Sequence, residues 1–135
     1  MLALEFVTDA LRYIGVIDET ETPSAEQGAD GVKKFNELMA SLAEDGIDLG
    51  WVPVSSTSST VVIPAGEVRS IKALLGANLA PIYGAEIPPA VSIIGSAGYS
   101  RMLSNALILS QNAASLATVS RGTGSVYEYD INVGY

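Results

Sequence analysis

Apolar residues recur along the first third of the chain at the spacing of a helix. Between Leu2 and Ile14, the positions Leu4, Val7, Leu11 and Ile14 share one helical face, with Glu5, Asp9 and Arg12 elsewhere. Gly15 is a natural stop. The following VIDETETPS reads as an acidic linker with too little apolar content to pack. Pro23 and Ser24 open a second helix, with Ser24 as N-cap and Gln27 completing a capping box. Its stripe of Ala25, Ala29, Val32, Phe35, Leu38, Met39 and Leu42 runs through to Glu44, and Gly46 ends it. Gly28 and Gly31 lower helix propensity, so packing must carry this segment.

The texture changes at Ile47. WVPV, then SSTSST, then VVIP places two β-branched runs around a Ser/Thr tip, which predicts a β-hairpin over 51–63. Pro53 assigns its arm to an edge, where a missing N–H is harmless. Trp51, the single tryptophan, is either a lid on the helical core or an interface anchor. A third helix is expected from Glu67 through Ile71, Leu74, Leu75, Asn78 and Leu79, closed by Pro81 and Gly84. Pro88–Pro89 opens a fourth, running to Leu116. Its Gly95–Gly98 patch and the later Ser104, Ala106, Ala113 and Ala114 are small enough for close backbone approach.

SRGTG then breaks regularity and reads as a hinge. Gly122 and Gly124 do not make a nucleotide loop, since no strand precedes them, no helix follows and Lys is absent. From Val126 the residues alternate. On an extended strand Tyr127, Tyr129, Ile131, Val133 and Tyr135 point one way, and Glu128, Asp130 and Asn132 the other. The whole reads as mainly α: a small four-helix bundle over 1–120 with an inserted β-hairpin, and an extended C-terminal tail over 121–135.

Composition narrows the chemistry. The chain is 48% hydrophobic but only 7% aromatic, so its core is expected to be built largely from Ala, Val, Leu and Ile. Its 16% charged fraction, against about 25% for ordinary soluble domains, suits a subunit that buries surface against neighbours. There is no cysteine and no histidine, which removes thiol and Ser-His-Asp nucleophiles and the usual zinc ligands. No catalytic residue, metal or cofactor is therefore expected. Glu44–Asp45 and Asp18–Glu19 are the densest carboxylate pairs, and they read as a helix end and a linker. The net charge of −8 is carried wholly by residues 1–50. A field of that sign repels nucleic acid, so specific DNA binding is not expected. Glu5 and Asp9 stand where a targeting signal would be positive, and Met102–Ser120 is too polar for a membrane span.

Two blocks of punctuation carry a family resemblance. DALRYIGVIDETETPSAEQGADGVKKFNELMASLAEDGIDLGW gives a short helix ending near Gly, a Thr-Pro-Ser linker, and a longer helix ending in Asp-Gly before a hairpin. IPAGEVRSIKALLGANLAPIYGAEIPPAV starts a helix at Pro64-Ala65-Gly66 and closes it with Leu79-Ala80-Pro81 and Tyr83-Gly84, and a proline starts the last helix. Over residues 8–117 this order resembles the head-to-tail adaptor proteins of tailed phages, in particular the tail accessory, or packaged-DNA stabilisation, subunit of short-tailed phages. The tail matches in kind and not residue by residue, and the chain looks short for the family.

The resemblance implies a helical bundle that assembles as a ring, usually dodecameric, beneath the portal at the head–tail junction of the virion. Such a ring is assembled in the host cytoplasm. It extends the DNA channel, helps retain the packaged genome and offers a platform to the next tail component. The C-terminal stripe, Val126, Tyr127, Tyr129, Ile131, Val133 and Tyr135, would then dock on the portal protein ring by strand addition or groove filling. Pairing of that stripe with the hairpin of its own subunit is the competing reading. The hairpin, through Trp51, Val54, Ser56, Thr57, Ser58 and Ser59, would meet the tail nozzle or tube protein. A ring of such acidic subunits carries on the order of −100 charges, and DNA would pass without sticking. Three alternatives stay open: a head-completion protein of a long-tailed phage, a capsid decoration protein, and a carboxylate-based glycan hydrolase. The last needs two carboxyls facing across a cleft of about 5–10 Å, and no such pair is legible here.

Overall fold

The computed structural model describes residues 1–121, and the chain divides into two units, Met1–Leu103 and one that begins at Ser104. The described residues are mainly helical, with four α-helices: α1 (Ala3–Tyr13), α2 (Ala25–Glu44), α3 (Val68–Tyr83) and α4 (Pro89–Arg121). A 3-10 turn, Ala65–Glu67, leads into α3. The hinge and the alternating stripe over 122–135 lie outside the described residues.

Local chemistry sets the helix ends. At the start of α2 the Gln27 N–H donates to Ser24 Oγ at 3.2 Å, and the Ser24 N–H donates to Gln27 Oε1 at 2.9 Å. That is the reciprocal pair the sequence predicts, worth about 1 kcal/mol. Gly84 ends α3 in the left-handed region at φ 62°, and its N–H donates to the Ala80 carbonyl. Pro81 does not close α3 as expected; it lies inside the last turn, on the exposed side. α4 runs five residues past the expected Leu116.

α3 is the centre of the first unit, with α1 and α2 packed against it and against each other. Its buried residues, Ser70, Ile71, Ala73, Leu75, Gly76, Leu79 and Ala80, wrap more than one face. α1 approaches at Gly76, where an added Cβ would meet the Ala10 carbonyl oxygen at 3.1 Å. The first part of α4 approaches at Gly95, beside Leu74 and Ala73, and at Gly98, beside Ser70. The small patch therefore serves packing inside the subunit.

The core corrects the sequence reading in three places. Leu4 is exposed, and Phe6 takes its place, fully buried and edge-on to Phe35 with ring centroids 5.3 Å apart. Such an aromatic pair adds about 1 kcal/mol beyond its burial. In α2 the buried small residues are Gly28 and Gly31, while Ala25 and Ala29 face outward. The acidic linker is held, because Ile17 is buried and the Arg12 guanidinium donates to the carbonyls of Asp18 at 3.4 Å and Glu21 at 3.1 Å.

The expected β-hairpin at 51–63 shows no paired strands among the described residues; the segment is an irregular loop. It reverses at Ser56–Ser59, where the Ser59 N–H donates to the Ser56 carbonyl at 3.1 Å. Backbone groups that a hairpin ladder would use have other partners. Val54 is bonded to Asn36 on both its N–H and its carbonyl, and Val61 donates to the Met1 carbonyl at 2.8 Å. An isolated antiparallel bridge joins Leu2 to Thr60.

Candidate docking surfaces

Three surfaces of the described residues bear on recognition: the Ser/Thr loop, a groove beside α2, and the exposed apolar residues of α4.

The loop is pinned on two sides. Asn36, facing it from α2, accepts from the Val54 N–H at 2.9 Å and donates to the Val54 carbonyl at 2.7 Å. One side-chain amide here does the work of a strand neighbour. On the other side, the Ala3 N–H donates to the Ser59 carbonyl at 2.8 Å and the Leu4 N–H to the Thr57 carbonyl at 2.9 Å. These are N–H groups at the start of α1, which a helix cannot satisfy internally. Leu2, at the N-cap, offers no side-chain bond. The loop thus caps α1 with its own backbone.

The residues singled out for tail contact have different fates. Ser56 and Ser58 are exposed, with their hydroxyls 3.0 Å apart. Trp51, Thr57 and Ser59 are half-buried. Val54 is 4% exposed and faces the core. The Thr57 methyl reaches α2 at Gly28, where an added Cβ would sit 3.0 Å from it. Sequence pattern alone does not mark Asn36. The signal it does carry is an amide of low helix propensity beside the apolar stripe of α2.

The groove has a volume of about 510 Å³ and is walled by α2, α3 and, through Tyr99, α4. Leu38, Leu42, Leu74 and Pro81 contribute apolar surface, and Lys34, Glu37, Asp45 and Tyr99 the rim. The rim is largely self-satisfied. Lys34 pairs with Glu37 at 3.0 Å, and the Tyr99 hydroxyl donates to Asp45 at 2.8 Å. That bond raises the Tyr99 pKa above its ordinary value, with desolvation and the Asp45 charge adding to it. Tyr83 is raised as well, first by burial and then by Asp30, which accepts its hydroxyl at 3.2 Å.

Arg101 on α4 pairs with Glu67 and also donates to Ser70 Oγ at 3.2 Å, which ties the helix to the start of α3. Beyond it, Leu107, Ile108 and Leu109 are 57%, 53% and 70% exposed. Consecutive helix positions lie about 100° apart, so the three side chains fan out around α4 and do not share one face; their exposure makes this stretch a candidate for contact with a neighbour. They fall within the longest uncharged stretch of the sequence.

Among the described residues no group of three or more Asp or Glu side chains could hold a metal ion, and no helix is long and apolar enough to cross a membrane. The portal-facing residues proposed from sequence, Val126, Tyr127, Tyr129, Ile131, Val133 and Tyr135, lie outside the described residues. No protein-family model matches the chain, and no curated protein matches it.

Proposed function

We propose that the chain is a structural connector subunit of a phage virion, forming a ring under the portal that extends the DNA channel, helps retain packaged DNA and carries the tail. The observation that carries this reading is the ordered punctuation of residues 8–117. Most of its marks stand at element boundaries: the Ser24–Gln27 box opens α2, Gly46 follows it, Pro64-Ala65-Gly66 enters α3, Gly84 leaves it and Pro89 begins α4, whereas Pro81 falls inside the last turn of α3.

In this reading the stripe Val126–Tyr135 docks on the portal, since alternate Tyr and β-branched side chains suit strand addition with side-chain pockets. The exposed Leu107, Ile108 and Leu109 of α4 support burial of this end of the chain against a neighbour. The tail nozzle or tube protein meets the 51–63 loop, first at the exposed Ser56 and Ser58. Pairing of the two arms as a hairpin belongs to the assembled state. The surplus of acids in residues 1–50 lets DNA slide through the ring without specific contacts.

Native mass spectrometry of the protein mixed with the portal ring encoded in the same genome tests the proposal. The expected result is a portal ring carrying one closed ring of added subunits. No association with a demonstrably intact portal overturns it.

A further inference from the structure

The Ser/Thr loop is the segment assigned to the tail partner, yet several of its backbone groups are already committed within the subunit. Val54 is clamped by Asn36, Thr57 and Ser59 hold the first N–H groups of α1, and Val61 is bonded to Met1. The segment 54–61 therefore serves both as a partner-facing tip and as the cap of a helix. Those two duties conflict wherever the partner needs the loop's backbone, because a carbonyl directed at Leu4 is not directed at an incoming or opposing strand.

We propose that residues 54–61 form a latch that keeps the tip folded onto α1 and α2 in the free subunit, and that Asn36 is its catch. Opening the latch frees five backbone groups of the loop together: the Val54 N–H and carbonyl, the Thr57 and Ser59 carbonyls, and the Val61 N–H. It also uncaps α1, since Leu2 supplies no replacement. A partner that engages the tip by backbone pairing must supply hydrogen bonds to the freed groups, and a free subunit remains closed to it. Buried Val54 and the Thr57 methyl against Gly28 supply the apolar part of the closure. The identity of the opening partner rests on the connector reading, but the latch itself does not.

The latch requires that the Asn36 clamp and the α1 cap open as one unit. Hydrogen–deuterium exchange of the intact protein, read at single amides, tests that coupling. Asn36→Ala removes the clamp from a helix interior where Ala is the better helix former. Exchange at Val54, Ala3, Leu4 and Val61 should then quicken together by roughly tenfold or more, the worth of a lost hydrogen bond. Amides within α3 should be unaffected. A second variant, Gly28→Cys with Thr57→Cys, bridges the loop to α2 in a chain with no other cysteine. Oxidised, it should slow all four amides; reduced, it should release them.

Acceleration confined to Val54 would overturn the proposal, because the clamp and the cap would then be independent. Acceleration that spreads into α3 would overturn it also, by making Asn36 part of the global core. Either result stands whether or not the protein binds a portal, and a failed portal experiment leaves the exchange result intact.

Discussion

Gly31 of α2 lies directly on Val7 of α1: a Cβ at Gly31 would stand 2.9 Å from the Val7 Cβ and closer still to both its methyl groups. Two helices can approach this closely only because one of them has no side chain at the crossing. The glycine that weakens α2 as an isolated helix is the one that lets α1 seat on it.

Gly31→Ala is accordingly expected to destabilise the protein, although Ala gains about 1 kcal/mol of helix propensity over Gly. Overpacking costs about 1–3 kcal/mol, and the overlap with a β-branched stem places this site at the upper end. A net loss of about 1–2 kcal/mol in urea unfolding is expected. Gly66→Ala, where an added Cβ meets nothing within 4 Å, should be neutral or slightly stabilising. In a Val7→Ala background Gly31→Ala should cost less, and an unchanged penalty there would refute the crossing as its cause.

What could be read from the sequence divides along the same line. Signals carried by neighbours in the chain were legible: the Ser24–Gln27 box, the stop at Gly84, and the Gly95–Gly98 patch as a site of close approach. Signals that depend on distant partners were not. Spacing put Leu4 in the core and overlooked Phe6, because it could not say where α2 would supply Phe35. Ile17 looked too isolated to pack, and Arg12 could not be foreseen as the side chain that holds its linker. The paired hairpin is not seen among the described residues for the same reason. Two β-branched runs around a polar tip predict mutual pairing, but Asn36 and the Met1–Leu4 segment take the arms' hydrogen bonds first. Among the candidate docking residues, the sequence singled out the loop and the stripe at 126–135, and it marked neither the Asn36 clamp on the loop nor the apolar exposure at Leu107–Leu109.

Two ion pairs differ in burial and should differ in worth. Lys72 is bonded to Asp9 at 2.6 Å with only 12% of its side chain exposed, and its ammonium lies 5.7 Å from the Phe6 ring centroid. Lys72→Met leaves Asp9 with only its longer contact to Arg12 at 3.8 Å, and should cost about 1–2 kcal/mol. Lys34, on the groove rim, pairs with a Glu37 that is half exposed. Lys34→Met there should change stability by less than about 0.5 kcal/mol. Equal losses in denaturant unfolding would contradict this ranking.

Alkaline stability should depend on Tyr83. Its phenol is raised above 10.0 by burial and by Asp30, so the folded state holds that proton more tightly than the unfolded chain does. The contribution is fully present below the unfolded value near 10 and is lost as pH rises through the higher folded one. Unfolding midpoints should therefore fall across that window, and Tyr83→Phe should flatten part of the fall. Tyr99, raised by its bond to Asp45, should titrate late in the same direction by ultraviolet absorbance, and Asp45→Asn should return it toward the ordinary value. A Tyr83→Phe profile as steep as the parent's would remove Asp30 and burial as the cause.

Deleting Val126–Tyr135 separates recognition from folding. Every core residue described above lies at or before Met102, so the truncated chain should keep its helix content by circular dichroism and its unfolding midpoint. Portal binding, in contrast, should be lost in the same native mass spectrometry assay, because the alternating stripe with three of the chain's nine aromatic residues is gone. Replacing Tyr127, Tyr129 and Tyr135 by Ser should act in the same direction, since buried Tyr side chains contribute most where an interface is dry. Full portal binding by the truncation would transfer the docking role to the exposed Leu107–Leu109 surface of α4, and Leu107→Ser with Leu109→Ser should then abolish what remained.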